Sequence, residues 1–325
     1  MSLELSQVTV TYDGTRIVKD IELSVASGER FAIMGPSGSG KSTLLRAIAG
    51  LAPISSGTVH IDGADVSSVP AHRRRVGLMF QDYALFPHMS VLENVAYGLR
   101  MGGVTSAERA EQSRTLLDLV GLGTFADRRP DTLSGGERQR VALARTLAPS
   151  PAVVLLDEPL GSLDISLRES LLGETRSILD SLGATSVYVT HDRSEAFAFC
   201  DRMAILNEGR VVRLGAPDEI WHNPGSEFVA RSIGQTNLVP CRTINAGNRG
   251  VCFVPLDAVQ VHSEGELKGV VTSTRFEDGS HIVSAVIEPG GGALEMPVPH
   301  PMSQGREIRF DVNRDKLILV SGDEI

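Results

Sequence analysis

Little in this chain suits a secreted, membrane-spanning or nucleic-acid-binding protein. Cysteine is scarce: Cys200, Cys241 and Cys252 are the three among 325 residues. They are odd in number and lack metal-ligand spacing, so buried, inert thiols are expected. A disulfide scaffold does not suit a chain of this size, and a reducing cytosol fits best. Long apolar runs are missing. Residues 152–156 form one of the longest, far short of the roughly 20 residues that span a bilayer. The start, Met1-Ser2-Leu3-Glu4-Leu5, lacks the basic-then-apolar order of a signal peptide. Any work at a membrane is therefore expected of a peripheral subunit. Basic residues are outnumbered, 31 Lys and Arg against 40 Asp and Glu, for a net charge of −9. That argues against a nucleic-acid partner, which favours a basic face.

What is present reads as ordinary globular material. Hydrophobic residues make up 42% and charged residues 22%, enough for packed cores, and the length suits two domains. Residues 3–12 alternate, with Leu3, Leu5, Val8, Val10 and Tyr12 among polar neighbours, and Asp13-Gly14 marks a hairpin into a second run at 17–25. Residues 31–34 form a short apolar strand that runs into a glycine-rich loop and then a helix at 41–50. Residues 105–120 are helical by period, with Ala107, Ala110, Leu116, Leu117 and Val120 on one side. Residues 153–156 and 186–189 are continuous apolar runs, as in a sheet covered on both faces. Helices are expected at 165–182, 194–199, 217–222 and 226–233, with strands at 203–206 and 210–214. The order predicts an α/β fold with a mainly parallel sheet and an antiparallel strand group at its beginning. At Gly234-Gln235-Thr236-Asn237 the helical periodicity ends. Seven short β-type runs follow, separated by turns such as Glu277-Asp278-Gly279 and Pro289-Gly290-Gly291-Gly292. They predict a small all-β barrel or sandwich over 236–325, after a first domain over 1–235.

Three segments carry chemistry. Gly35-Pro36-Ser37-Gly38-Ser39-Gly40-Lys41-Ser42 matches G-x-x-x-x-G-K-[ST], a phosphate loop placed between strand and helix. Its glycines let backbone N–H groups converge on phosphate oxygens, and the helix start adds a favourable dipole. Lys41 is expected to reach the β- and γ-phosphates and Ser42 to ligate Mg²⁺. Residues 153–158, Val-Val-Leu-Leu-Asp-Glu, end a buried strand on two carboxylates. Asp157 can hold Mg²⁺ through water, and Glu158 can act as the general base that polarises the attacking water. Leu133-Ser134-Gly135-Gly136-Glu137 reads locally as a capped helix start, Ser134 at the N-cap and Glu137 three residues on.

Together these segments resemble the ATP-binding subunits of ABC transporters, whose signature is LSGGQ. The resemblance covers about residues 1–235. It implies a P-loop NTPase fold: an ABC ATPase core with an antiparallel β subdomain and a helical subdomain. It implies ATP and Mg²⁺ as ligands, with Thr43 completing the loop. Tyr12 matches the aromatic that stacks on adenine, where the plain reading is one more strand aromatic. Gln81, in Phe80-Gln81-Asp82, matches the glutamine that touches Mg²⁺ and links the site to the membrane subunit. His191, in Val189-Thr190-His191-Asp192, matches the switch histidine near the γ-phosphate. Asp164, in Gly161-Ser162-Leu163-Asp164, matches the loop that crosses to a second subunit. Two departures stand out: Glu137 replaces the signature Gln, and Gly161 occupies a position where Ala is more usual. In this family Ser134, Gly135 and Gly136 close on ATP held by a second copy, head to tail, so each site is shared.

Residues 81–99 and the β-rich tail resemble importer subunits of the spermidine/putrescine, ferric-iron, sulfate and maltose group, whose tail is a transport-associated OB-like domain. That implies import of a small polar solute through a separate membrane permease pair. It also implies an indirect partner in a solute-binding protein, and a place on the cytoplasmic face of the cell membrane. The tail shows no interleaved aromatics and basics for an oligonucleotide. The rival readings are a soluble ABC ATPase of translation or DNA repair and a regulator that uses ATP as a structural ligand. The first usually brings two cassettes, a coiled coil or zinc cysteines, and the intact Glu158 and His191 oppose the second.

Overall fold

Alternating apolar and polar residues fold the first segment into a hairpin. β1 (Leu3–Tyr12) pairs antiparallel with β2 (Thr15–Val25), Leu3 opposite Val25 and Tyr12 opposite Thr15 across the Asp13-Gly14 turn. Then come β3 (Arg30–Met34), α1 (Lys41–Ala49), β4 (Ser56–Ile61) and β5 (Ala64–Asp65). β4 returns to the free side of β1, making a four-stranded antiparallel sheet in the order β2-β1-β4-β5. The structure is a computed structural model. It describes residues 2–161, 165–247, 250–288 and 292–320.

The chain continues through β6 (Val76–Met79), α2 (Val91–Met101), α3 (Ser106–Leu119), α4 (Gly135–Leu147), β7 (Val153–Asp157), α5 (Ile165–Ser181), β8 (Ser186–Thr190), α6 (Arg193–Phe199), β9 (Arg202–Asn207) and β10 (Arg210–Gly215). With β3 these strands build a six-stranded sheet, order β10-β9-β3-β8-β7-β6, parallel except where β10 pairs β9. The apolar runs are continuous because the sheet is covered twice. Val153 and Leu155 of β7 enter a core with α1 and the antiparallel sheet, while Val154 and Leu156 enter a second core with α2, α4 and α5. Each of α2, α3 and α4 begins with a closed capping box: Ser90 with Glu93, Thr105 with Glu108, Ser134 with Glu137. On α3 the expected apolar side is narrower than its period suggests. Leu117 and Val120 are buried but Ala107 is exposed.

The chain divides into two compact units, Met1–Pro217 and Asp218–Ile325. The packing boundary thus falls before the compositional change at 234–237. Most of α7 (Pro217–His222) and all of α8 (Glu227–Ser232) belong with the tail. There Trp221 meets Phe253 edge-on at 6.1 Å. The rest of the tail is β: β11 (Leu238–Pro240), β12 (Val251–Phe253), β13 (Val259–Val261), β14 (Leu267–Glu277), β15 (Ser280–Glu288), β16 (Ala293–Val298), β17 (Glu307–Val312) and β18 (Ile318–Val320). They form a three-stranded sheet, β11-β12-β18, and a five-stranded one, β13-β17-β14-β15-β16, an all-β arrangement consistent with an OB-like domain. The start of the expected 316–320 strand is trimmed to 318, because Arg314–Lys316 takes a 3-10 turn first. The expectation of three inert thiols is corrected here. Cys241 and Cys252 are joined by a disulfide, because the antiparallel pairing of β11 and β12 brings their Cα atoms to 5.2 Å. Cys200 is the free cysteine. Among the described residues no helix is long and apolar enough to cross a membrane.

Candidate active site

Parallel strands end at a common edge, and that edge collects the functional side chains. β3 lies between β9 and β8, with Met34 opposite Thr190 of β8, and Asp157 of β7 lies opposite Val189. Gly35, His191 and Glu158 therefore leave the sheet side by side. Gly35 cannot carry a side chain, since a Cβ there would collide with the carbonyl of Leu206. Gly40 caps α1 at φ 102°, a left-handed conformation natural to glycine. The first-turn N–H groups of α1 have no intrahelical acceptor and open towards the loop, as an anion needs. The buried Lys41 ammonium donates to Gly35 O at 2.8 Å and Pro36 O at 2.9 Å. Burial lowers its pKa, opposed by Glu158 and then Asp157. Ser39 is buried with its hydroxyl unpaired within the protein, while Pro36, Ser37 and Gly38 are exposed and Thr43 is half-buried.

Opposite the loop, Ser42 Oγ donates to Asp157 Oδ1 at 2.9 Å. Burial raises the Asp157 pKa, with the Ser42 hydrogen bond working against it. A buried carboxylate of this kind gains from a cation. Among the described residues no three His, Cys, Asp or Glu side chains cluster to hold a metal by themselves. The donors here are one carboxylate and one hydroxyl. That is the sparse oxygen set suited to a small divalent ion that keeps its waters and shares phosphate oxygens.

Glu158 is turned outward by its backbone. At φ 45° it is left-handed, a strain of about 1–2 kcal/mol for a residue with a Cβ. It is held there by its N–H to Val189 O at 3.0 Å and by Gly161 N–H to its own carbonyl at 3.1 Å. Its carboxylate lies 3.3 Å from His191 Nδ1. The loop bearing His191 is fastened from below by a buried carboxylate that sequence reasoning missed. Glu195 accepts from Tyr188 OH at 3.0 Å and Thr190 Oγ1 at 2.7 Å, and Thr190 Oγ1 accepts from Asp192 N at 2.9 Å. Asp192 caps α6, so Asp192-x-x-Glu195 reads as a capping box in sequence, and that reading hides Glu195 turning inward.

Gln81 follows β6, whose Met79 lies opposite Leu156, and so joins the same edge. A Cβ placed on Gly161 would lie 3.2 Å from Gln81 Nε2. The departure at 161 thus gives the glutamine amide room. Tyr12 sits 43% exposed at the end of β1. Ser134, Gly135 and Gly136 are elsewhere, at the start of α4 among the helices of the second core. Gly136 is packed so closely that a Cβ would lie 3.2 Å from Leu171 Cδ1. Asp164, with Ser162 and Leu163, lies outside the described residues.

The phosphate loop, paired carboxylates and histidine match a known group. The sequence profile of the ABC transporter family matches residues 18–161, which take in the loop, the helix start at Ser134 and Glu158. An Fe(3+) ions import ATP-binding protein, FbpC of Streptomyces coelicolor, is 44% identical over 310 residues, 90% of this chain and 89% of its own. The chain belongs to the ABC transporter ATP-binding family. A spermidine/putrescine import ATP-binding protein, PotA of Trichodesmium erythraeum, is 48% identical over 338 residues, covering 99% of this chain and 86% of the relative. Among solved structures, the dimeric ATP-binding cassette MJ0796 in a post-hydrolysis state with ADP and Pi superposes with a TM-score of 0.59 at 35% identity. It covers 66% of this chain and 98% of that one. The ABC ATPase fold and ATP hydrolysis follow from the family.

Proposed function

We propose that this ABC ATPase energises import of a small polar solute, a polyamine, ferric iron or an oxyanion, through a separate pair of membrane permease subunits. The named relatives serve iron and polyamine import, which supports a transporter role over translation or DNA repair. The observation that carries the reading is the Glu158–His191 pair at 3.3 Å beside the Ser42–Asp157 bond at 2.9 Å. It supports reading Glu158 as a base oriented by His191, beside residues that would hold a cation at the mouth of the phosphate loop.

In this reading the loop from Gly35 to Ser42, with Thr43, binds the phosphates and Tyr12 meets the adenine. Lys41 exchanges its two carbonyl acceptors for phosphate oxygens. Ser42, Asp157 and Gln81 hold Mg²⁺, which neutralises phosphate charge when bound. Glu158 orients the attacking water and accepts its proton, with His191 fixing the carboxylate near the γ-phosphate. Ser134, Gly135 and Gly136 serve ATP held by a second copy, head to tail, and Asp164 reaches across the same junction. The solved cassette it resembles is dimeric, which supports that assembly. The ATPase region is taken as 1–235 and the transport-associated domain as 236–325. The chain then works on the cytoplasmic face of the membrane, with a solute-binding protein as its indirect partner. Glu158→Gln is expected to keep ATP binding, lose about a thousandfold or more in turnover, and accumulate as an ATP-bound dimer. Turnover at the wild-type rate would remove Glu158 as the base.

A further inference from the structure

The segment after Gln81 is gripped from the signature helix. Tyr83 and Ala84 are consecutive left-handed residues, at φ 62° and 45°, and neither is glycine. Two such residues in a row are strained and persist only where their surroundings hold them. The holding group is Arg145, in the last turn of α4. Its Nη2 donates to Tyr83 O and its Nη1 to Ala84 O, both at 2.7 Å, and its guanidinium carbon lies 5.6 Å from the centre of the Phe86 ring. Burial lowers the pKa of this group, opposed by Asp82. A second clasp comes from α2. Asn94 is fully buried, accepts from Phe86 N at 2.8 Å, and donates to Phe86 O at 3.1 Å and Ser90 O at 2.9 Å. The loop from Asp82 to Ser90 is thereby fixed to two helices of the second core.

We propose that Arg145 is a positioning residue. It ties the helix that begins at Ser134 to the loop that begins at Gln81, so Gln81 reaches its ligand only when α4 is in place. A planar fork suits this task. Two parallel N–H groups fix the direction of two successive carbonyls, which a point charge cannot do. α4 then reports at one end on the partner's nucleotide and at the other on the glutamine of its own site. The proposal rests on the reading of Gln81 as a Mg²⁺ contact.

The test uses the full chain with ATP and MgCl₂, comparing wild type with R145K, R145M, Q81A and the R145M/Q81A pair. ATP binding by R145M is expected to stay within about twofold of wild type, since the loop from Gly35 is untouched. Its turnover is expected to fall about tenfold, and its half-saturating Mg²⁺ to rise about fivefold. R145K, which keeps the charge without the fork, is expected to recover part of both. In the double variant the losses should not add, because both act through one group. R145M with wild-type Mg²⁺ dependence, while Q81A shifts it, overturns the strut. So do additive losses in the double variant. Q81A with unchanged Mg²⁺ dependence overturns the Gln81 reading, and the strut with it.

Discussion

Ser42 and Asp157 are hydrogen-bonded at 2.9 Å although 115 residues separate them, and this bond closes the first turn of α1 onto the end of β7. It ties the helix that follows the phosphate loop to the strand that ends on the paired carboxylates. The hydroxyl is the donor here; in the proposed reading Ser42 would give up this bond to hold Mg²⁺, and Asp157 would hold the ion through water. Ser42→Ala leaves the partly buried Asp157 without that donor. We expect S42A to retain nucleotide binding without metal, and to lose at least about tenfold in Mg²⁺-dependent affinity. Titrating ATP with and without MgCl₂ measures both. Equal losses in the two titrations would mean that Ser42 serves the phosphates and not the cation.

The departure at Glu137 predicts a small effect. Its carboxylate is held below the ordinary Glu range by the backbone N–H of Ser134, which donates to Oε2 at 2.7 Å, and then by the Ser134 hydroxyl. A glutamine can close the same capping box without charge. Glu137→Gln should therefore keep α4 intact and remove one negative charge beside the residues expected to meet a partner's phosphates. Turnover is expected to change by less than about threefold, a few tenths of a kcal/mol. A hundredfold change would show that the charge takes part in closure.

The candidate site is legible in the sequence wherever backbone geometry demands a fixed residue type. Gly35 and Gly40 are required by collision and by φ, Lys41 and Ser42 stand where the strand-loop-helix pattern puts them, and Asp157 ends the buried apolar strand β7. The antiparallel start and the mainly parallel sheet were equally clear, since β1 alternates and β7 is apolar throughout. β6 escaped notice because it is four residues long and contains Gly77. Glu195 and Arg145 escaped because each resembles an ordinary helix residue. Their roles depend on neighbours distant in fold or hidden in a turn. The Cys241–Cys252 pair was invisible because its proximity comes from strand register, and register does not show in a count of cysteines.

Arg74 shows how much a buried cation can contribute to the scaffold under the phosphate loop. Its guanidinium donates to Ala47 O and Ile48 O, the last carbonyls of α1, and to Val69 O and Ser67 O, at 2.7–3.0 Å. Ala47 O also accepts the Gly50 N–H at 3.1 Å, in a last helical turn whose carbonyls otherwise lack intrahelical donors. Arg74→Met would remove all four of these hydrogen bonds, and is expected to cost about 3 kcal/mol. Urea unfolding followed in the first unit would measure it. A loss below about 1 kcal/mol would place R74M among ordinary surface changes.

Acid sensitivity in the tail should trace to Arg275. Its Nη atoms reach both oxygens of Glu295 at 2.6 and 2.9 Å, and its Nε reaches Glu277 at 2.8 Å. Arg275 holds the Glu295 carboxyl below its ordinary value. A depressed carboxylate contributes stability that is present above its unfolded pKa and lost as pH falls through the lower folded one. Both side chains are partly exposed, 44% and 32%, so screening limits the gain to about 1 kcal/mol. R275M should be less stable than wild type near pH 7, and the difference should shrink as the medium is acidified below the ordinary Glu range. A constant difference across that range would assign the loss to packing.

The disulfide predicts a thiol count that depends on folding and on reductant. Cys241 and Cys252 are buried, 0% and 3% exposed, and close a loop with a sequence separation of 11. Reduction therefore needs local opening of β11 and β12, and should be slow under native conditions. Cys200 is also slow to react, because burial pushes its thiol pKa up to about 12 and leaves little thiolate. Native protein should thus show no rapidly labelled thiol. Unfolding without reductant should expose the one free thiol, Cys200, and unfolding with reductant all three cysteines. Once reduced, or as C241A/C252A, the tail should lose about 2–3 kcal/mol of stability, in line with a closed loop of this length. Three thiols in the unreduced, unfolded protein would show that Cys241 and Cys252 stay apart, and would withdraw that stabilisation from the tail.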